Sequence, residues 1–416
     1  MFGCSDRWIG KRFASALTEF LATEDRRREL NAHDAVDARA VDALYEAWRD
    51  ERAAAPPGDP YALASATLAD ATAASPTTAG AHDVPWSSTT GEVPLGRTHV
   101  VPSTPETVVL GLLDPTKPPL LTVASGDVVV YENTWTHFLN RLQPGVTPDE
   151  LHAMRAAQPG RGVHSIVGPI AIEDAHPGDV VQLRFLRLET IDFGANLHYP
   201  GSLGVGSLPA EFEHGHVHYF DLAGGDGYVA FDDRIRLAMK PFQGTIGLAA
   251  ADPGPISSVA PGSHAGNIDL KDLTAGSSLF VPVAQPGGLL FTGDSHALQG
   301  DGEVNITAIE TAMREVRMQV ILHKHAGWTW PWAETPTHWI ALGVDPSLNE
   351  ALRIALRSAI DFLHRKAGLS RDRAYSLASL AVDFRVTQMV DVNNGIHAMI
   401  PKSIFAPDYR ATIALA

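Results

Sequence analysis

The stretch GDSHALQGDGEV, residues 293–304, carries three carboxylates and an imidazole on a backbone otherwise short of side-chain bulk. GGLLFTGD leads into it as a buried strand. If that strand continues, Asp294 and His296 stand two positions apart and point to one face. A carboxylate and an imidazole so placed can share a divalent metal, each reaching about 2.0–2.2 Å from zinc. The turn Gly300-Asp301-Gly302 then folds the backbone back, so that Asp301 and Glu303 can return to the same spot. One of them would be a third ligand, or the base that deprotonates water on the metal. The plainer reading is a hairpin with Asp and Gly as turn formers beside a structural histidine. Four such groups in one short segment favour a pocket with convergent polar groups.

Other segments offer partners. GSHAGNIDLKDL (262–273) presents Asn267 and Asp269 after a Gly-rich turn, an amide and a carboxylate suited to a small polar ligand or a metal. Alone, it reads as an Asx turn. EHGHVHYF (213–220) puts His214, His216 and His218 on one strand face, either a transition-metal signal or an exposed edge strand. His137, in TWTHFLN, could join the site from another strand. Lys240 reads as a solvated lysine rather than an oxyanion stabiliser. Trp328, Trp330 and Trp332, near His323 and His325, read as core or interface aromatics. There is no G-x-S-x-G elbow, no P-loop and no G-x-G-x-x-G between strand and helix.

These residues need a scaffold, and from about 96 onward its pattern is β. DVVVYENTW (127–135) follows a Ser-Gly turn. DVVQLRFLRLE (179–189) alternates at Val181, Leu183 and Phe185 and then changes phase, which predicts a β-bulge near Phe185. EVRMQVILH (315–323) alternates at Val316, Met318, Val320 and Leu322. Gly-Asp and Pro-Gly punctuation between such runs fits an antiparallel sandwich or barrel. Two helices follow. The first, over 347–369, has Ser347 and Glu350 spaced as a capping box, with Leu348, Leu352, Ala355, Ala359 and Leu363 along one stripe. Ser370 caps the second. Before residue 96, Val36, Ala40, Val41, Leu44 and Trp48 recur at helical spacing, and an Ala-, Ser-, Thr- and Pro-rich tether follows.

The totals set limits on function. The chain has 416 residues and is 45% apolar, and its 36 glycines and 29 prolines favour turns and short strands. Its formal charge is −16, from 48 acids against 32 bases, which argues against nucleic acid or anionic membrane as partners. Cys4 is the single cysteine, so no intrachain disulfide can form, and a cytoplasmic setting is expected. MFGCSDRWIGKRF has charges where a signal peptide needs an apolar core. No apolar run approaches the ~20 residues of a membrane span.

Read together, these segments resemble the acetamidase/formamidase family. The resemblance runs through PPLLTVASGDVVVYE, VGPIAIEDAHPGDVVQLRFL, KPFQGTIGLA and HAGNIDLKDLTAGSSLFVPV. It continues in GGLLFTGDSHALQGDGEVNITAIE and closes with AYSLASLAVDFRVTQMVDVNNGIHAMIPKSIF. It covers roughly 96 to 406, and the string G-D-x-H-A-x-Q-G-D-G-E is its most specific part. It implies a mainly β fold, a β-sandwich core with added α/β elements, over 96–416, to which the residues themselves add two C-terminal helices; the helical, low-complexity extension over 1–95 lies outside the resemblance. It also implies a homo-oligomer, a divalent metal such as zinc, and hydrolysis of a small linear amide to carboxylate and ammonia.

Carried over by position, the motif gives Asp294, His296, Asp301 and Glu303, with Asn267 and Asp269 from the second segment. After GDVVVYE the family pattern has an Asp followed by small residues. This chain reads Thr134-Trp135-Thr136-His137, which puts His137 forward as third metal ligand beside Asp294 and His296. Glu303 is expected as general base. Asp301 and Asp269 would orient Glu303 and the substrate NH2, and Asn267 would bind substrate. Two other readings stand beside this one: the same chemistry on a lactam or larger amide, and a non-catalytic metal- or ligand-binding β module.

Overall fold

Alternation at Val316, Met318 and Val320 becomes the strand Met313–His323, with all three side chains buried. The neighbouring strand is Val180–Thr190. Pairing between them jumps from Arg187–Arg317 to Phe185–Met318, leaving Leu186 as the extra residue of a bulge, beside the position that the phase change marks. The computed structural model describes residues 93–415. The expected helix at 36–48 and the tether after it lie outside the described residues.

The described chain is mainly β. One nine-stranded sheet runs Thr98–Pro102, Val128–Glu132, Met313–His323, Val180–Thr190, Ser278–Pro282, Trp332–Glu334, His338–Asp345, Asn394–Pro401 and Asp383–Gln388. A second nine-stranded sheet carries Ala265–Asn267, Phe242–Gly247, Leu290–His296, Glu310–Thr311, Phe193–His198 and His216–Asp221 in order, with Ser165–Ile172 also paired to Leu290–His296. Tyr131, Leu183, Phe185 and Val316 of the first sheet meet Phe242, Ile246 and Leu290 of the second in one buried cluster. This is the expected sandwich core.

The helix Leu348–Arg365 covers the far part of the first sheet. Its buried face is Ala351, Ala355, Ala359, Phe362 and Leu363, whereas Leu352 is 38% exposed. Ala355, Ala359 and Leu363 of the stripe read in the sequence are buried and Leu348 packs against the core, but Leu352 lies outside the buried face and Ala351 takes part in it. Small residues face the sheet because the backbones are close: a Cβ on Gly343 would lie 2.1 Å from the Ala351 carbonyl oxygen. The capping box expected at Ser347 does not form; Ser347 makes no side-chain cap, and Glu350 pairs with Arg353. A true capping box closes the start of Pro148–Ala156, where Thr147 and Glu150 exchange hydrogen bonds. Ser370 caps Arg371–Ala381 as expected. Trp328 and Trp332 pack with Phe280 and Phe362 beneath the long helix, in a second core cluster. Among the described residues, no helix is long and apolar enough to cross a membrane.

A buried carboxylate ties the end of an interior strand of the first sheet, Val180–Thr190, to nearby loops. Asp179 accepts from the His176 amide at 2.9 Å, the His325 amide at 2.9 Å and the Lys324 ammonium at 2.7 Å. Burial alone would raise its pKa. The Lys324 ammonium and the two amides outweigh burial and hold it at about 2. A pKa lowered in the folded state stabilises above the unfolded value of about 3.9, and that stability fades as pH falls through about 2. Asp179→Asn should therefore cost about 1–3 kcal/mol at neutral pH by denaturant melts. The gap from the parent protein should close between about pH 4 and pH 2; a pH-independent gap would contradict the assignment.

Candidate active site

The strand Leu290–His296 ends in Gly-Asp-Ser-His, and all seven of its residues are buried. Asp294 sits at φ 64, so the strand kinks there and turns its carboxylate toward the His296 ring. Pairing places Glu310 directly opposite His296 on the next strand. Residues opposite each other on one face approach within about 4.5–5.5 Å at Cβ, close enough for their side chains to meet. On the other flank, Thr245 pairs with both Gly293 and Asn267. Gly244 lies between these pairings with no side chain. A Cβ there would meet an Asp269 oxygen at 2.5 Å, His296 Cε1 at 2.5 Å and an Asp294 oxygen at 2.6 Å.

His137 arrives from a different element. It opens a left-handed turn in which Phe138, Leu139 and Asn140 have φ of 56, 58 and 64. The turn is pinned from both sides. Ser165 Oγ accepts from the Leu139 amide at 3.0 Å and donates to the Thr136 carbonyl at 2.6 Å. Thr136 Oγ1 donates to the Leu142 carbonyl at 2.8 Å.

Four ligand-type atoms converge. His137 Nε2 lies 2.7 Å from Asp294 Oδ1 and 3.2 Å from Glu310 Oε2. His296 Nε2 lies 3.2 Å from the same Asp294 oxygen and 3.2 Å from the same Glu310 oxygen. A tetrahedral site with bonds of about 2.0–2.1 Å has edges of about 3.3–3.4 Å. Asp294, His296 and Glu310 have ligand-type atoms that all lie within 4.8 Å of one another, and His137 approaches from the side of Asp294 and Glu310. Glu310 Oε2 is buried between the two imidazole nitrogens without a well-aligned hydrogen bond to either. Two buried carboxylates against two imidazoles are a donor set that fits a divalent cation. His164 adds a third imidazole, its Nε2 3.9 Å from Asp294 Oδ2.

A second group of acids lies on the Nδ1 side of His296. Asp269 Oδ1 is 3.9 Å from that nitrogen, and Glu303 completes a cluster with both. Both Asp269 oxygens, Asp391 Oδ2 and His296 Nδ1 are buried, and no hydrogen bond reaches them from outside this acid group. Thr245 Oγ1 donates to Asn267 Oδ1 and fixes that amide.

Burial and neighbouring charge set the protonation pattern. Burial disfavours charge on both central imidazoles, but Glu310 and Asp294 overcome it. They hold His296 well above the usual histidine range and His137 above it. Burial would raise Asp294, yet His296, His164 and His137 hold it well below the usual carboxylate range. Burial takes His164 down to about 4. Burial dominates at Asp269, which rises to about 7 despite the opposing effect of His296. Glu303 is pushed well up by burial and then by repulsion from Asp269 and Asp391, and Asp391 rises for the corresponding reasons.

These groups line a cavity of about 390 Å³. Asp294, His296, His137, Glu303, Asn267 and Asp269, all named from the sequence, lie on its wall. Asp301 does not. Its carboxylate is turned outward to Lys271, 2.9 Å away, so it does not orient Glu303. Both leave the same Gly-Asp-Gly turn, but only Glu303, at φ 47, is aimed inward. His216 and His218 sit on the edge strand His216–Asp221, where His218 stacks on Phe220 at 4.2 Å. Lys240 is exposed. Sequence reasoning missed Glu310, His164 and Asp391. Glu310 ends the string GDGEVNITAIE and Asp391 lies in MVDVNNG, so two of the three stood inside segments already singled out.

Comparison with known proteins places this geometry in context. The model of the Acetamidase/Formamidase family matches residues 254–407. A formamidase of Methylophilus methylotrophus is 28% identical over 320 residues, covering 60% of this chain and 78% of its own. The acetamidase structure from Yersinia enterocolitica superposes with a TM-score of 0.67 at 29% identity, over 76% of this chain and 94% of that one. That of the acetamidase from Bacillus halodurans gives 0.66 at 27% identity, over 74% and 98%.

Glu310→Gln keeps the shape of the cluster and removes one anionic donor. It should weaken uptake of a divalent cation by on the order of 100-fold, read by titration with cobalt as a spectroscopic probe. Unchanged affinity would remove Glu310 from the cation site. Gly244→Ala should lower the affinity as well, because the added methyl displaces Asp269, His296 and Asp294 together.

Proposed function

We propose that the chain, which is similar to the acetamidase/formamidase family, hydrolyses a small linear amide to carboxylate and ammonia at a divalent metal centre. The observation that carries this reading is the convergence of His137, His296, Asp294 and Glu310 on one spot in the cavity wall, with Glu303 beside them. Those four residues would hold the cation, and two imidazoles with two carboxylates suit zinc. When bound, the cation supplies Lewis acidity, polarising an amide carbonyl and lowering the pKa of water from 15.7 toward about 7. Residues 96–416 would form the catalytic unit.

The chain's own groups do the rest. Glu303 takes a proton from the attacking water and later delivers it to the departing nitrogen. Its environment suits both roles, since a carboxyl raised by burial and by acidic neighbours holds a proton more readily than a surface glutamate. Asp269 and Asp391, buried beside each other and sharing a proton, line the cavity, and their unprotonated oxygens would accept the N–H groups of the substrate. Asn267, with Oδ1 engaged by Thr245, turns its Nδ2 toward the carbonyl oxygen. His164 backs Asp294 and stays neutral at physiological pH.

Glu303→Gln should retain the cation and lower kcat for acetamide or formamide by about 10²–10⁴-fold, measured by ammonia release. Full turnover in that variant would strip Glu303 of its role. Chelation should abolish ammonia release in the parent protein, and added zinc should restore it. A loaded protein that cleaves no amide would leave the binding-module reading in its place.

A further inference from the structure

The polar cluster accounts for only part of the cavity. Much of the remaining wall is apolar, including Val163, Tyr199, Leu203, Val205, Val259 and Ile306. Most of these side chains pack on a separate buried cluster that includes Phe138, Leu151 and Leu197. One wall residue has a costly backbone: Ile306 has φ 83, an angle that β-branched residues rarely adopt, and it packs against the buried cluster. Strain of this kind persists where surrounding structure holds it, and it gathers at ligand sites.

Size decides what this wall is for. An apolar cavity of about 150 Å³ holds benzene. The cavity here is about 390 Å³, more than twice as large. Acetamide offers one methyl group to cover all of that wall. The wall also carries little charge suited to an acidic tail. Arg155 lines the cavity, but its Nη1 already donates to the carbonyls of Gln158 and Arg161, and the nearby acids repel anions.

The polar end restricts the nitrogen instead. Asp269 and Asp391 line the cavity, hydrogen-bonded to each other, and the remaining buried carboxylate oxygen has no other donor. An unsubstituted NH2 offers them two N–H groups, and an N-alkyl amide offers only one.

The geometry points to a substrate class that the family name does not specify: primary amides with an acyl group larger and more apolar than acetyl, of about six carbons or an aromatic ring. This rests on the amide-hydrolase reading above and deepens it. Each methylene buried against Leu203, Val205 and Ile306 should raise kcat/KM by about fourfold until the wall is filled.

The test compares acetamide, butanamide and hexanamide as substrates of the zinc-loaded full chain. N-butylacetamide, an isomer of hexanamide, and succinamate serve as controls. Binding of acetate and hexanoate is measured in parallel by calorimetry. Hexanamide should exceed acetamide by on the order of 100-fold in kcat/KM, and should exceed both controls. Leu203→Trp and Val205→Trp should each lower the hexanamide-to-acetamide ratio at least tenfold, and two positions guard against one variant failing to fold. A flat or falling chain-length series, or a preference for either control, would overturn the proposal. If no amide is cleaved, the hydrolase reading fails, and binding decides the wall separately. Tighter hexanoate than acetate binding upholds an apolar pocket, and equal binding removes it.

Discussion

Burying Asp294 and Glu310 against two imidazoles is the constraint on which the rest of the site depends. An ion taken out of water costs several kcal/mol, and two carboxylates side by side add repulsion. Positive charge must sit among them. Either both imidazoles hold extra protons, or a divalent cation takes their place at the same four atoms. The pull of the carboxylates on His137 and His296 measures that demand, because it raises both rings against burial. Deprotonated imidazole is the form that binds metal, so proton and cation compete for the same nitrogens.

The fold meets this demand with strand register rather than with loops. His296 and Glu310 face each other because their strands pair there, and Gly244 leaves the space in which Asp269, His296 and Asp294 meet. His137 is the exception, held by a left-handed turn clamped to Ser165 and Leu142. His296 is the pivot. Its Nε2 faces the pair Asp294–Glu310, and its Nδ1 faces the acid group around Glu303. One ring thus links the proposed cation site to the acid group proposed to move protons. The sandwich core beneath, through Phe242 edge-on to the His296 ring at 4.9 Å, keeps that ring in place.

Local pattern carried the sequence reading a long way. Asp294 and His296 were legible because two residues on one strand face need no partner to be recognised. The bulge beside Phe185 was legible from a phase change. Glu310 was not, because its role arises from pairing between strands, and register is not written in either strand alone. His164 and Asp391 come from still more distant segments. Asp301 misled for the opposite reason: its neighbours in sequence belong to the site, but a turn residue can face either way, and Lys271 draws it outward. Ser347 and Glu350 had capping-box spacing, yet Arg353, one turn along, took the glutamate. Short-range rules fail where a competing partner is supplied by the fold.

The central claim is that the four-atom convergence is a cation site and not a self-contained ion-pair network. Anomalous diffraction from crystals grown with zinc tests it most directly. The account predicts one anomalous peak bounded by His137 Nε2, His296 Nε2, Asp294 and Glu310, at about 2.0–2.2 Å from each donor atom. Direct hydrogen bonds between protonated imidazoles and those carboxylates, with zinc elsewhere or absent, would contradict it.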